Sequence, residues 1–270
     1  MMKKIILYIL LVVGAISFLY PFVWMLSASL APENEISNLV FLPSGITLSS
    51  YIQMFDKIPI GKAFINSMIV ASTITVGVLV FGSMVGYALS RLEFVGRNLI
   101  FYIIIFTMTL PFQITLIPQY ILIVKFGWVD SYVGLIVPYL MNSLAIIMFR
   151  QYFKTIPQDL IDAARIDGCG ELRIIFRILW PNSVPALVTV GIITFMASWN
   201  EVLWPLIVIR DEKLMTMPQL VTLFAVGGRA ESQLGVKLAA ATVLALPIII
   251  AYLFFQKYFI QSMASSGMKE

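Results

Sequence analysis

The sequence contains no histidine and a single cysteine, Cys169. The lack of histidine excludes a histidine-based zinc site and a Ser-His-Asp arrangement. One cysteine cannot close an intrachain disulfide, and its place in a charged stretch suits a small neutral residue. Charge is sparse: Asp, Glu, Lys and Arg make up 12% of the chain, against about 25% in an ordinary soluble domain. No phosphate-cradling G-x-x-x-x-G-K-[ST] occurs, since Gly61-Lys62-Ala63 lacks both the upstream glycine and the hydroxyl. The chain therefore has no means of burning ATP itself. Its acids lie almost entirely in polar loops, which leaves a paired-carboxylate hydrolase site unsupported. No basic stripe with interleaved aromatics is present, so nucleic acid is not an expected partner.

What remains is apolar: 60% of residues are hydrophobic and the mean hydropathy is +0.95. Such a chain is a membrane protein, and 270 residues suffice for about six spans in a single domain, 1–270. The runs fall at about 5–30, 62–90, 98–124, 132–149, 186–209 and 238–259. The expected fold is all-α and polytopic, with six transmembrane helices. The first run, behind Lys3 and Lys4, resembles a secretory signal ending at Ser27-Ala28-Ser29, but its length and its Pro21-Phe22-Val23-Trp24 fit a retained anchor better. The second run carries Gly77, Gly82 and Gly86, small residues that let helices approach closely in lipid. Pro111 and Pro118 predict a kink in the third. The segments 31–61 and 210–236 read as polar connections.

With six spans both termini share one side. Lysines and arginines number 11 in the N-terminus, the Arg91 turn, the central loop and the tail, and 7 in the alternate segments. The excess puts both termini and the central loop in the cytoplasm.

Polar residues at apolar depth are the candidates for a translocation route. They are Asn66, Gln113, Asn142 and the run Trp199-Asn200-Glu201. A carboxylate in an apolar run should face protein or water, not lipid. The alternatives are a structural hydrogen bond between Glu201 and a neighbouring helix, or a carboxylate that just reaches the outer interface. Tyr120, Tyr139 and Trp204 offer aromatic faces of the kind sugar sites use.

The longest charged interruption is the central loop, 154–181. It reads as two short helices broken at Gly168, because glycine takes the left-handed conformation without a Cβ penalty. Thr155 and Gln158 have capping-box spacing, and Asp159 suits a helix start. Leu160, Ala163, Ala164 and Asp167 share one face, with Asp162, Arg165 and Ile166 on its flanks. The adjacent alanines leave room for another protein's surface to reach the backbone. A second amphipathic segment follows, from Glu171 to Leu179.

The order Asp162-Ala163-Ala164, three residues, Gly168, nine residues, Ile178-Leu179-Trp180-Pro181 resembles the "EAA" coupling loop of ABC-importer permeases. Asp162 replaces the usual Glu and Trp180 the usual Leu. Asn66-Ser67, Gly86 to Arg91, Trp199-Asn200-Glu201 with Pro205, and Ala239 to Ala241 with Leu246-Pro247 also resemble carbohydrate-uptake permeases, the shorter maltose-type subunit above all.

The resemblance implies a non-catalytic subunit in the cytoplasmic membrane. Its partners would be a second, different permease chain, two cytoplasmic ATPase subunits that carry ATP and Mg, and an extracytoplasmic solute-binding protein. It assigns ATPase coupling to Asp162, Ala163, Ala164, Arg165, Asp167, Gly168, Glu171, Arg173, Ile178 and Pro181. It places Gly227, Gly228, Arg229, Glu231 and Gln233 in a loop that touches the binding protein. The cargo would be a sugar, oligosaccharide or polyol, with glycerol-phosphate as the alternative within the family. The tail Ser265 to Glu270 departs from the family's glycine-rich ending. From another class, an ion-coupled secondary transporter would use Glu201 as its relay, and a bare membrane scaffold would need none of these features.

Overall fold

The computed structural model describes residues 2–36, 43–226 and 233–267. Every regular element among them is helical. Three helices are long and apolar enough to cross a membrane: α1 (Met2–Ser29), α4 (Ile60–Arg91) and α15 (Leu234–Gly267). Three further pairs pass the same test together, each bent at a short break. These are α5 and α6 (Arg97–Thr109, Phe112–Lys125; 104°), α7 with its 3-10 extension and α8 (Tyr132–Tyr139, Ser143–Phe153; 42°), and Glu171–Asn182 with α12 (Val184–Trp199; 91°). Counted once each, the pairs bring the total to as many as six spans by length and composition; in the last pair the charged residues Glu171, Arg173 and Arg177 all lie before the 91° bend, and α12 is the apolar limb.

The breaks have local causes. Leu110 is extended and Pro111, without an N–H, caps α6, so the chain turns there. Pro118 is carried inside α6 without a break. The predicted fifth span is not continuous: α12 ends at Trp199 and a short helix, α13 (Leu203–Val208), follows after Asn200–Val202. The segment expected to be polar, 210–236, contains an apolar helix, α14 (Met217–Val226), with Met217, Leu220 and Phe224 buried. The charged residues on either side of it in the sequence, Arg210 to Lys213 and Arg229 with Glu231, concealed this apolar stretch.

The chain divides into two compact units, Met1–Phe64 with Met217–Ile249, and Ile65–Thr216 with Ile250–Glu270. In the first, α2 (Glu33–Ile36) and α3 (Ser49–Lys57) follow α1. Ser29 and Tyr51 share a hydrogen bond of 2.8 Å, and a Glu33 carboxylate oxygen accepts from the Gly235 N–H at 3.1 Å. Ile5, Leu7, Leu10 and Phe18 of α1 are exposed, as a lipid-facing helix requires.

The second unit holds the larger core, around Phe149, Phe153, Ile161, Ile174, Leu179 and Trp204. Here the glycines of α4 act as the sequence suggests. A Cβ on Gly86 would lie 2.7 Å from the Phe149 Cβ and 3.0 Å from the Arg150 backbone nitrogen. One on Gly77 would lie 2.4 Å from Leu140. α4 and α8 therefore meet almost backbone to backbone. Van der Waals contact of this kind holds helices together where no hydrophobic drive separates them from lipid.

Candidate functional site

The central loop folds as a hairpin. Its first limb is α9 (Gln158–Ile166), its second α10 (Glu171–Ile174), a π-helical turn (Ile175–Leu179) and α11 (Trp180–Asn182). Between them Gly168 has φ +76°. The Cys169 N–H donates to the Ala164 carbonyl at 2.9 Å and the Gly168 N–H to that of Arg165 at 3.0 Å. This double closure satisfies two carbonyls that α9 would otherwise leave open. The start of α9 departs from expectation, because no capping box forms. Thr155 Oγ1 donates back to the Tyr152 carbonyl, while the Gln158 amide donates to Asp162 Oδ1 at 2.9 Å.

Ile161 and Ala164 are buried against the core, whereas Leu160, Ala163, Ile166 and Asp167 face outward. The paired alanines thus part, Ala164 turned to the core and Ala163 outward, and only Ala163 offers the small surface expected of both. Ala164 lets α9 lie close to its own protein. Asp162, Arg173 and Pro181 are exposed, and Ile178 is half-buried against the core.

Three residues of α4 spaced by one turn, Ser83, Tyr87 and Arg91, grip the hairpin. Ser83 Oγ accepts from the Trp180 indole at 3.0 Å. The Tyr87 hydroxyl donates to Glu171, and Arg165 reaches both Glu171 oxygens at 3.2 and 3.3 Å and the Tyr87 oxygen at 3.2 Å. Arg91 donates to Gln158 Oε1 at 2.7 Å and to the carbonyls of Phe153 and Ile156. Burial pushes the Glu171 carboxyl up, but the hydrogen bonds from Tyr87 and Arg165 and the Arg165 charge outweigh it and hold it below the ordinary range. Tyr87 and Arg91 were not singled out from sequence. Their only signal was membership of the Gly86–Arg91 motif and a basic residue at a span's end.

A cavity of about 190 Å³ lies inside the second unit, where the α7–α8 and α12–α13 breaks face one another. Tyr139, Asn142, Thr194, Ser198, Glu201 and Thr216 supply its polar lining, and Val70, Ile74, Leu135, Trp204 and Pro205 its apolar walls. Both breaks are capped by cavity residues. Asn142 Oδ1 accepts from the Ala145 N–H at 2.9 Å, and Glu201 Oε1 from that of Trp204 at 3.1 Å.

A family model described as "Binding-protein-dependent transport system inner membrane component" matches residues 78–265. The chain belongs to this family. As such a permease it is similar to the arabinooligosaccharides transport system permease protein AraQ of Bacillus subtilis (strain 168), at 37% identity over 93% of this chain and 91% of that one. The trehalose/maltose permease protein MalG of Thermococcus litoralis is 32% identical over 99% and 98% of the two chains. The sn-glycerol-3-phosphate permease protein UgpE of Pectobacterium atrosepticum is 30% identical over 96% and 95%. Among solved structures, a bacterial ABC transporter involved in import of the acidic polysaccharide alginate matches with TM-score 0.84, 27% identity and 96% coverage of both chains. The permease is thus a multi-pass membrane component of an ABC importer.

The permease does not gather its six expected route residues in one place. Asn142 and Glu201 share the cavity; the other four are elsewhere. Asn66 is buried in a clamp, donating to the carbonyls of Lys213 and Met215 at 3.0 and 2.9 Å and accepting from the Tyr132 hydroxyl at 2.7 Å. Trp199 is buried and stacks on Phe195. Asn200 bonds back to the Met196 carbonyl, and Gln113 is exposed on α6. Thr194 and Ser198 were missed, since hydroxyls on an apolar helix carry no sequence signal of their direction, and Thr216 was missed because it lies in the short connection before α14. Of the expected binding-protein loop, Gly227, Gly228, Arg229 and Glu231 lie outside the described residues, and Gln233 accepts a hydrogen bond from Lys57.

Proposed function

We propose that this permease moves a neutral sugar, oligosaccharide or polyol across the cytoplasmic membrane by alternating access, driven by a separate ATPase. The observation that carries the coupling half of this reading is the hairpin. Its outward face, Leu160, Ala163, Ile166 and Asp167, is exposed, while its inner face is clasped to α4 and the core. Two cytoplasmic ATPase subunits bear ATP and Mg. A second, different permease chain completes the pore, and an extracytoplasmic binding protein delivers the solute. Both termini and the hairpin lie in the cytoplasm, as the lysine and arginine excess supports. ATP helps only through a difference in affinity between the two conformations, and the hairpin makes that difference mechanical.

For the cargo, two of the similar permeases are named for sugars and one for glycerol-3-phosphate. Among the described residues no Lys or Arg lines the cavity, which favours a neutral solute over a phosphate. An ion-coupled carrier with Glu201 as relay is less well supported, because one Glu201 oxygen is occupied in capping α13.

Purification from native membranes with identification of the partner chains, followed by ATP-driven uptake in vesicles, tests the proposal. Expected are copurifying ATPase and solute-binding subunits, with sugar uptake that stops when ATP is withheld. Uptake by the isolated chain on an ion gradient would overturn it.

A further inference from the structure

We propose that the cavity between the two broken spans is a subsite for one sugar ring, built wholly within this chain. The inference rests on the transport reading above and adds a location and a recognition chemistry to it. Irregular backbone at membrane depth is tolerated where it lines a cavity, and paired helix breaks are a recurrent way to build a solute site in a membrane. Here the two breaks lie on the same cavity, and each presents a cap side chain to it: Asn142 at the start of α8 and Glu201 at the start of α13. Each cap uses one oxygen, which leaves the Asn142 amide N–H groups and the second Glu201 oxygen for a ligand.

Independent of the breaks, two hydroxyls here are buried without a partner among the described residues. Thr216 is 4% exposed and its Oγ1 is unpaired, as is the Tyr139 hydroxyl. A buried hydroxyl left unpaired costs stability, so such a group marks the place of a missing partner. Among the described residues the set consists of one carboxylate, one amide and four hydroxyls, with no cation. It offers donors and acceptors to a neutral polyol and nothing to balance a phosphate. The opposite walls, Ile74, Leu135, Trp204 and Pro205, are carbon surfaces suited to the C–H faces of a ring. A cavity of about 190 Å³ equals about six water volumes. That is the size of a monosaccharide and far more than one cation would fill.

The test uses the whole transporter in lipid nanodiscs without its binding protein, and equilibrium dialysis against tritiated D-glucose, D-galactose and L-arabinose. Sodium chloride and choline chloride are compared. Saturable binding of at least one of these sugars, independent of sodium, is expected. Thr216→Val and Tyr139→Phe, nearly isosteric losses of one polar contact each, should weaken binding about tenfold and raise KM for uptake more than they lower kcat. Thr216→Ser should restore both. Normal binding and KM in both variants would overturn the subsite, as would saturation that needs sodium and no sugar. The transport reading fails separately: sugar binding to the cavity without any ATP-driven uptake would remove that reading and leave the subsite standing.

Discussion

Tyr87 and Glu171, separated by 84 positions in the chain, are joined by a hydrogen bond from the phenol to the carboxylate. Tyr87 is almost wholly buried at the end of α4, and Glu171 opens the second limb of the hairpin. Arg165, from the first limb, reaches the same two groups. This cluster thus ties both limbs of the hairpin to α4. On the coupling role proposed above, force applied to the hairpin would enter α4 as well as the spans on either side of the loop.

Removing the phenolic hydroxyl by Tyr87→Phe should loosen the hairpin without unfolding the core. A lost hydrogen bond to a charged group costs about 1.5–3 kcal/mol when buried, and less here, because Glu171 is partly exposed. Hydrogen exchange across residues 158–180 should quicken while that of 143–153 is unchanged. Equal protection in variant and wild type would show that the bond bears no load.

At Gly168 the expected defect is conformational and not steric. A Cβ there would meet nothing within 4 Å, yet φ is +76°. An L-residue in that region costs about 1–2 kcal/mol. Gly168→Val should therefore insert and assemble normally but lose sugar uptake per ATP hydrolysed, and Gly168→Asn, which tolerates the conformation, should retain more of it. Equal coupling in the two variants would sink this account.

Gly86→Leu is predicted to fail more severely, since the α4–α8 approach leaves no room for even one carbon. Overpacking of this kind costs about 1–3 kcal/mol or more. Gly191→Ala, where the nearest atom lies 3.7 Å away, should be tolerated. Thermal unfolding of the two detergent-solubilised variants provides the comparison, and similar losses in both would contradict it.

Acid should release a second tie, outside the membrane helices. Asp130 Oδ1 accepts the N–H groups of Asp211, at 2.9 Å, and Arg210. These bonds, that to Asp211 first, hold its carboxyl below the usual value. A depressed carboxyl adds stability above its unfolded pKa of about 3.9; that stability is lost as pH falls through the lower folded value. The wild type should therefore lose thermal stability relative to Asp130→Asn as pH drops below about 4. Asn keeps the acceptor and suits the positive φ of 52°. Parallel pH profiles would refute the assignment.

Ile161 tests the hairpin's inner face. It is 0% exposed, so Ile161→Ala should cost about 2–5 kcal/mol. Ile166→Ala, on the outer face at 87% exposure, should leave stability unchanged and weaken ATPase copurification. Loss of stability from Ile166→Ala instead would place that side chain in the fold.

Apolar runs alone determined that the chain is a helical membrane protein, because backbone in lipid must satisfy its own hydrogen bonds and twenty apolar residues do so only as a helix. Spacing determined the hairpin as well: Gly168 ends α9 because an L-residue there would be strained, and that preference is local. Tertiary structure decided which way each polar side chain turned. Asn66 and Asn142 look alike in sequence, yet one is spent on the carbonyls of Lys213 and Met215 and the other lines a cavity. Ala163 and Ala164 are neighbours of identical chemistry that part because successive residues on a helix are turned about 100° from one another. Which of them meets the core depends on where α4 and α8 lie. Those positions come from the packing of residues far apart in the chain, which no local pattern encodes.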